Sequence, residues 1–230
     1  MPAPTNGLVL HWNMETLSGA QMDDLAGTNR GTITGAVDAT GQVGQARAFD
    51  GVDDKIVFDR AVLGPTAGSF TIAFWGRPIA GVGLAVSLWN IANHLAYATV
   101  GTKWNFNMTS GATSVNIVSN SFASAVWRHI AGRYNGHTLY LFVGGNTQSS
   151  VAQTGTFTWS DMTVGGRVTG DNDFTGRIDE LRVYSRALSL TEIQSVRDDT
   201  QNYGLPDKVR DFRGLRLSVG KGMTKAEVTG

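Results

Sequence analysis

WRHIAGRYNGHTLYLFVGG, residues 127–145, decides the fold. Two stretches in which apolar and other side chains alternate flank Asn135-Gly136. Leu139, Leu141 and Val143 fall on one face of the second stretch, with Tyr140 and Phe142 on the other. A period of two places successive side chains on opposite faces of a strand. Asn-Gly between two such runs is a strong short hairpin signal, because both central residues of a type I′ turn take positive φ. The segment is therefore expected to be an antiparallel hairpin with a type I′ turn.

The same alternation extends in both directions. In LVLHW, Leu8, Leu10 and Trp12 share one expected face, and in SFTIAFW so do Phe70, Ile72 and Phe74. Further strands are predicted over Gln45–Phe49, Lys55–Phe58, Ala85–Ile91, Leu95–Val100, Trp104–Met108, Ser114–Val118, Met162–Val164 and Arg177–Tyr184. Gly, Asn and Asp punctuate them, and 29 glycines against 5 prolines suit short strands joined by tight turns. The pattern predicts an all-β, two-sheet antiparallel sandwich of jelly-roll type. One helix interrupts it. In SRALSLTEIQSV, Ser189 and Glu192 form a capping box, and Leu190, Ile193 and Val196 form an apolar stripe. A short C-terminal helix on the sandwich edge is expected.

Composition narrows the function classes. The 230 residues suffice for one large β domain, spanning 1–203. Formal net charge is zero, so no overall field favours nucleic acid or an acidic membrane. Cysteine is absent, which excludes disulfides, thiolate metal sites and cysteine nucleophiles. No run approaches the roughly 18 apolar residues of a spanning helix, and MPAPTNGLVLHW lacks the basic start and apolar core of a signal peptide. The expectation is a chain used inside a cell or carried out as part of an assembly, with no membrane insertion and no nucleic-acid partner.

Residues 204–230 differ in character. Six basic residues stand against three acidic ones, so this tail carries +3 and leaves −3 on residues 1–203. Arg210, Phe212, Arg213 and Arg216 combine charge with apolar surface and are the residues expected to dock on a neighbouring subunit.

Three acids, Asp50, Asp53 and Asp54, fall within FDGVDDKIVF. Carboxylates this close repel one another unless water, hydrogen-bond donors or a cation offsets them. A solvated turn, a metal site and an acid–base centre are the three readings of the stretch. Asp179 of GRIDELRVY shares a face with Leu181 and Val183 by period two, so it is expected to be buried. A cation, backbone N–H groups or an arginine would then compensate it.

Several blocks in order, GLVLHWNMET, DLAGTNRGTITGA, GQVGQARAFDGVDDKIVF, SFTIAFWGRP, WRHIAGRYNGHTLYLFVGG and VGGRVTGDNDFTGRIDELRVYSRALSLTEIQSV, resemble the laminin-G-like jelly-roll domains of the concanavalin A-like lectin/glucanase superfamily. The resemblance spans residues 7–196. It implies two sheets with the terminal strands side by side, a calcium ion near the sandwich rim in many members, and binding of sugars or proteins rather than catalysis. Carried over to this chain, it implies Asp24, Asp50, Asp53 and Asp179 as ligands of one structural Ca2+. Asp54, next to Lys55, is expected to face water.

Enzymes of this fold use paired carboxylates on one strand, typically E-x-D-x-x-E. The four glutamates (Glu15, Glu180, Glu192, Glu227) form no such motif. The four histidines show no zinc spacing and no serine elbow is present, so no catalytic activity is expected. Trp89 and Trp104, flanked by Asn90 and Asn105, are the candidate glycan-binding residues, since tryptophan stacks on sugar rings and carboxamides bond hydroxyls. Together these features lead to the expectation of a non-catalytic structural and adhesive protein at a virion surface, a phage decoration or fibre component. Its partners would be neighbouring capsid or fibre subunits and a cell-surface glycan. The alternative is a carbohydrate-binding module of an extracellular system.

Overall fold

A computed structural model describes residues 2–15, 17, 19–58, 68–89, 93–110, 113–154, 161–170 and 172–199. Among them sixteen strands and one helix follow in chain order. They are β1 (Leu8–Trp12), β2 (Gln21–Met22), β3 (Gly31–Thr34), β4 (Val37–Thr40), β5 (Gln45–Asp50), β6 (Lys55–Phe58), β7 (Phe70–Ala80) and β8 (Val82–Trp89). Then come β9 (Asn93–Val100), β10 (Lys103–Ser110), β11 (Thr113–Val118), β12 (Arg128–Tyr134), β13 (Thr138–Val143), β14 (Asn146–Ala152), β15 (Met162–Val164), β16 (Thr175–Tyr184) and α1 (Leu190–Asp198). The first sheet runs β14-β13-β12-β7-β16-β5-β4, with β1 also on β16. The second runs β11-β10-β9-β8-β15-β6-β3-β2. The expected all-β jelly-roll sandwich with one short C-terminal helix is what forms, and the terminal strands β1 and β16 pair side by side.

The core lies between the sheets. Leu10, Trp12, Ile72, Phe74, Leu139, Leu141 and Val183 of the first meet Val86, Leu95, Tyr97, Phe106 and Met108 of the second. Tyr97 ties the layers together: its ring stacks on Phe106 at 4.4 Å and its hydroxyl lies 3.2 Å from Ile72 O. Gly132, in β12, leaves the space that this hydroxyl occupies. Helix α1 covers the other face of the first sheet, where Ile193 and Val196 pack on Ala73, Ala131, Phe142 and Tyr184. Ser189 caps the helix and Glu192 returns the bond to the Ser189 N–H, completing the expected capping box. No helix among the described residues is long and apolar enough to cross a membrane.

Three local expectations are corrected. The β12–β13 hairpin is present, but its turn is not type I′. Gly136 has φ +95° while Asn135 is not among the residues with positive φ. The connection is three residues long, and Asn135 Oδ1 closes it by accepting from the N–H groups of His137 and Thr138. Leu8 does not share the face of Leu10 and Trp12. A register shift between Leu8 and Leu10 turns it toward the helix side. Leu190 is exposed, and Ser195 takes the third buried place on α1 with Ile193 and Val196.

Candidate functional site

The outer face of the second sheet carries a candidate site. In β9, Leu95 and Tyr97 point into the core, so His94, Ala96 and Ala98 point outward. In β10, Trp104, Phe106 and Met108 point inward, so Asn105 and Asn107 point outward. Backbone register aligns them in rows. Leu84, Ala98, Asn105 and Val118 form one row across β8–β11, and Ala96, Asn107 and Asn116 lie in the next across β9–β11. Alanines flanked by longer side chains leave a depression of about 240 Å³, which Arg167 completes from the loop after β15. Asn107 Nδ2 donates to Val115 O at 3.2 Å, and His94 Nε2 lies 3.0 Å from the Thr109 hydroxyl. Asn105 Oδ1 and Asn107 Oδ1 are buried and have no hydrogen-bond partner among the described residues. Burial lowers the pKa of His94, the nearby Asn107 carboxamide opposes this, and the charge of Arg167 lowers it further, so the imidazole is neutral at pH 7.

This face sorts the expected ligand-binding residues. Asn105 lies in the groove. Trp104 does not: it is fully buried, stacked on Phe122 and edge-on to Phe74, with Gly76 making room for its ring. It packs the core and cannot present a face to a sugar, because its position alternates inward when Asn105 alternates outward. Trp89 pairs with His94 in the β8–β9 register, but its side chain lies outside the description, as does all of Asn90. Arg210, Phe212, Arg213 and Arg216 also lie outside the described residues.

The acids expected around one ion are divided among three places. Asp24 is engaged by backbone groups: Oδ1 accepts from the N–H groups of His11 and Ala26, and Oδ2 from that of Asn29. Asp179 is buried in the first sheet, where Oδ2 accepts from the N–H groups of Gln42 and Val43, both at 2.9 Å. Backbone N–H groups thus compensate Oδ2, while Oδ1 is buried with no hydrogen-bond partner among the described residues. Burial pushes its carboxyl up to about 8, and the two N–H bonds oppose this.

Asp50 and Asp53 do meet, with Asp54 as the third member. One carboxylate oxygen from each lies within 4.8 Å of the others. Asp54 does not face water. It is 8% exposed and accepts the Asp50 N–H at 2.9 Å, because the turn folds its side chain back over the end of β5. Burial raises its pKa, and the charges of Asp50 and Asp53 add to that. Hard oxygen donors at this spacing suit a divalent cation such as Ca2+, with carbonyls and water completing six to eight ligands. Asp24 and Asp179 do not join this group, so the expected four-residue set is not assembled.

The described glutamates are occupied. Glu180 Oε2 lies 2.7 Å from both His11 Nε2 and Arg182, and Arg182 also meets Asp199 at 3.0 Å. Glu192 pairs with Arg186, and Glu15 accepts the Gln45 N–H.

Comparison with known proteins follows the same lines. A family model described as "Concanavalin A-like lectin/glucanases superfamily" (a laminin G type) matches residues 50–194, more than half of the chain. No curated protein matches the sequence. Among solved structures the chain is similar to domain 4 of AbnA, a GH43 extracellular arabinanase from Geobacillus stearothermophilus, in complex with arabinotriose. The identity is 17%, the TM-score 0.68, and the match covers 82% of this chain and 97% of that one. It is also similar to the binding domain of botulinum neurotoxin DC in complex with SialylT, at 10% identity and TM-score 0.68, covering 86% of this chain and 52% of that one. A third is the Trypanosoma rangeli sialidase in complex with the inhibitor DANA, at 17% identity and TM-score 0.64, covering 85% of this chain and 33% of that one. The chain thus spans about half of the neurotoxin binding domain and a third of the sialidase. At these identities the likeness establishes the shared sandwich.

Proposed function

The chain belongs to the concanavalin A-like lectin/glucanase superfamily, and on that premise we propose that it is a non-catalytic binding domain whose ligand is a glycan held on the outer face of the second sheet. The observation that carries this is the groove itself, with its floor of Ala96 and Ala98, walls of Asn105, Asn107 and Asn116, and Arg167 at its lip. Carboxamides both donate and accept, which matches sugar hydroxyls, and a concave site with few placed polar groups is the ordinary form of a small-ligand site. Two of the similar structures, the arabinanase domain and the neurotoxin binding domain, were solved with arabinotriose and SialylT. Support for the non-catalytic part comes from Glu15, Glu180 and Glu192, each tied into a structural bond.

The test is calorimetric titration with a glycan panel, using the native chain and Ala98→Trp. Ala98 is half-buried at the groove floor, so tryptophan fills the groove without entering the core. Loss of binding at an unchanged thermal midpoint is expected. Binding indifferent to Ala98→Trp, or absent throughout the panel, would overturn the reading.

The proposed setting is the outside of a particle or cell: a virion surface, as a decoration or fibre component, or else an extracellular module. The opposed charges of residues 204–230 and 1–203 support docking of the basic segment on a neighbouring subunit through Arg210, Phe212, Arg213 and Arg216. Light scattering of the full chain beside a variant with Arg210, Arg213 and Arg216 changed to Ser checks this; identical masses, both monomeric, would contradict it. One structural Ca2+ is proposed on Asp50, Asp53 and Asp54.

A further inference from the structure

We propose that the groove selects a sugar carrying an acetamido group. This rests on the glycan reading above and adds the substituent that the groove recognises. Asn105 sits where two kinds of surface meet. In its own row the groove-lining neighbours are Ala98 and, beyond it, Leu84. On the opposite side of Asn105 the row is polar, with Asn107 facing Asn116. The groove is thus apolar at one end and rich in carboxamides at the other.

At the junction, Asn105 Oδ1 is buried with no hydrogen-bond donor among the described residues. An acceptor in that condition is unfavourable until a donor reaches it. A sugar hydroxyl would supply a proton, but it would also set its own oxygen against Ala98 and Leu84, where nothing pairs with it. An acetamido group matches both surfaces. Its N–H meets Asn105 Oδ1, its methyl rests on Ala98 and Leu84, and the sugar ring with its hydroxyls lies over the polar row. A site built to bond one N–H discriminates strongly against the analogue that lacks it, because its own polar group is left unpaired.

The test is titration of the full chain with N-acetylglucosamine and N-acetylgalactosamine beside glucose and galactose. The acetamido sugars are expected to bind about tenfold more tightly than their parents. Asn105→Leu, which replaces the unpaired carboxamide by an apolar group of similar size, is expected to erase the preference. Ala98→Ser, at a half-buried position, sets a hydroxyl under the methyl and is expected to weaken the acetamido sugars selectively, whether or not the Leu variant folds. Parent sugars that bind as tightly as their acetamido forms would overturn this inference and leave the glycan reading standing. Absence of binding to these four sugars and to a broad glycan panel would overturn both.

Discussion

Asp179 and Glu180 are consecutive on β16, yet their carboxylates serve opposite sides of a switch in strand pairing. Before the pair, Thr175–Ile178 bonds to β5; after it, Leu181–Tyr184 bonds to β1. The change of neighbour falls at a bulge against β7, between Asp179 and Arg182, where Glu180 has φ +51°. A non-glycine residue in that region costs energy and persists only where the surroundings demand it. Here Asp179 holds the β4–β5 turn through the N–H groups of Gln42 and Val43, and Glu180 reaches His11 of β1. The bulge lets one strand hold two neighbours along the same edge.

The Asp179 carboxyl is held up at about 8 by burial, above an unfolded value near 3.9. The folded state therefore binds this proton more tightly than the unfolded chain does. Its contribution to stability is complete below about pH 4 and is lost as pH rises through about 8. In denaturant titrations, stability relative to Asp179→Asn should fall across that window. A difference that stays flat or rises with pH would contradict the assignment.

Glu180, Arg182, Asp199 and His11 form a buried network in which Glu180 bridges His11 and Arg182. Removing one charge from such a set leaves its partner buried and uncompensated. Glu180→Gln should cost about 3–5 kcal/mol in chemical unfolding. A loss below about 1 kcal/mol, the range of exposed pairs, would show that the network is hydrated.

Trp104 and Asn105 should separate stability from binding. Trp104→Ala empties the space between Phe74 and Phe122 and should cost about 3–5 kcal/mol. Asn105→Leu should leave the thermal midpoint unchanged or raise it, since it removes an unpaired acceptor. Calorimetric unfolding of the two variants checks both.

Calcium should raise the thermal midpoint, by mass action on the folded state alone. An ion at a hundred times its Kd contributes about 2.7 kcal/mol. Asp53→Asn, at an exposed position, should abolish the calcium-dependent rise and leave the midpoint in chelator unchanged. A rise that survives Asp53→Asn but disappears in Asp24→Asn would place the ion elsewhere.

The sandwich was legible in the sequence because period-two alternation is strong in β7, β9, β10 and β13, and the helix because Ser189 and Glu192 mark its start. What alternation could not convey was where it breaks. The register shift at Leu8 and the bulge at Glu180 each move side chains to the other face with no change in residue type. The same limit hid the site. Trp104 looked like a sugar platform, while its inward parity was stated by its alternation with Asn105. Ala96 and Ala98 carry no chemical signal, and their role as a floor arises from the longer side chains around them. Asn116 and Arg167 join the groove through strand order and a loop, neither of which a linear pattern records. The acids suffered in the opposite sense. Asp24 and Asp179 have the right residue type, but the backbone N–H groups that occupy them appear only in three dimensions.

The central claim, a glycan held on the outer face of the second sheet, is tested most directly by nuclear magnetic resonance of the labelled chain during titration with N-acetylglucosamine. The account predicts saturable shifts in the Ala96 and Ala98 methyl groups and in the Asn105 side-chain amide, with those of Ala96 and Asn105 lost in Ala98→Trp. Shifts confined to the Asp50–Asp54 turn or to the helix face of the first sheet, with the groove methyl groups unmoved, would contradict it.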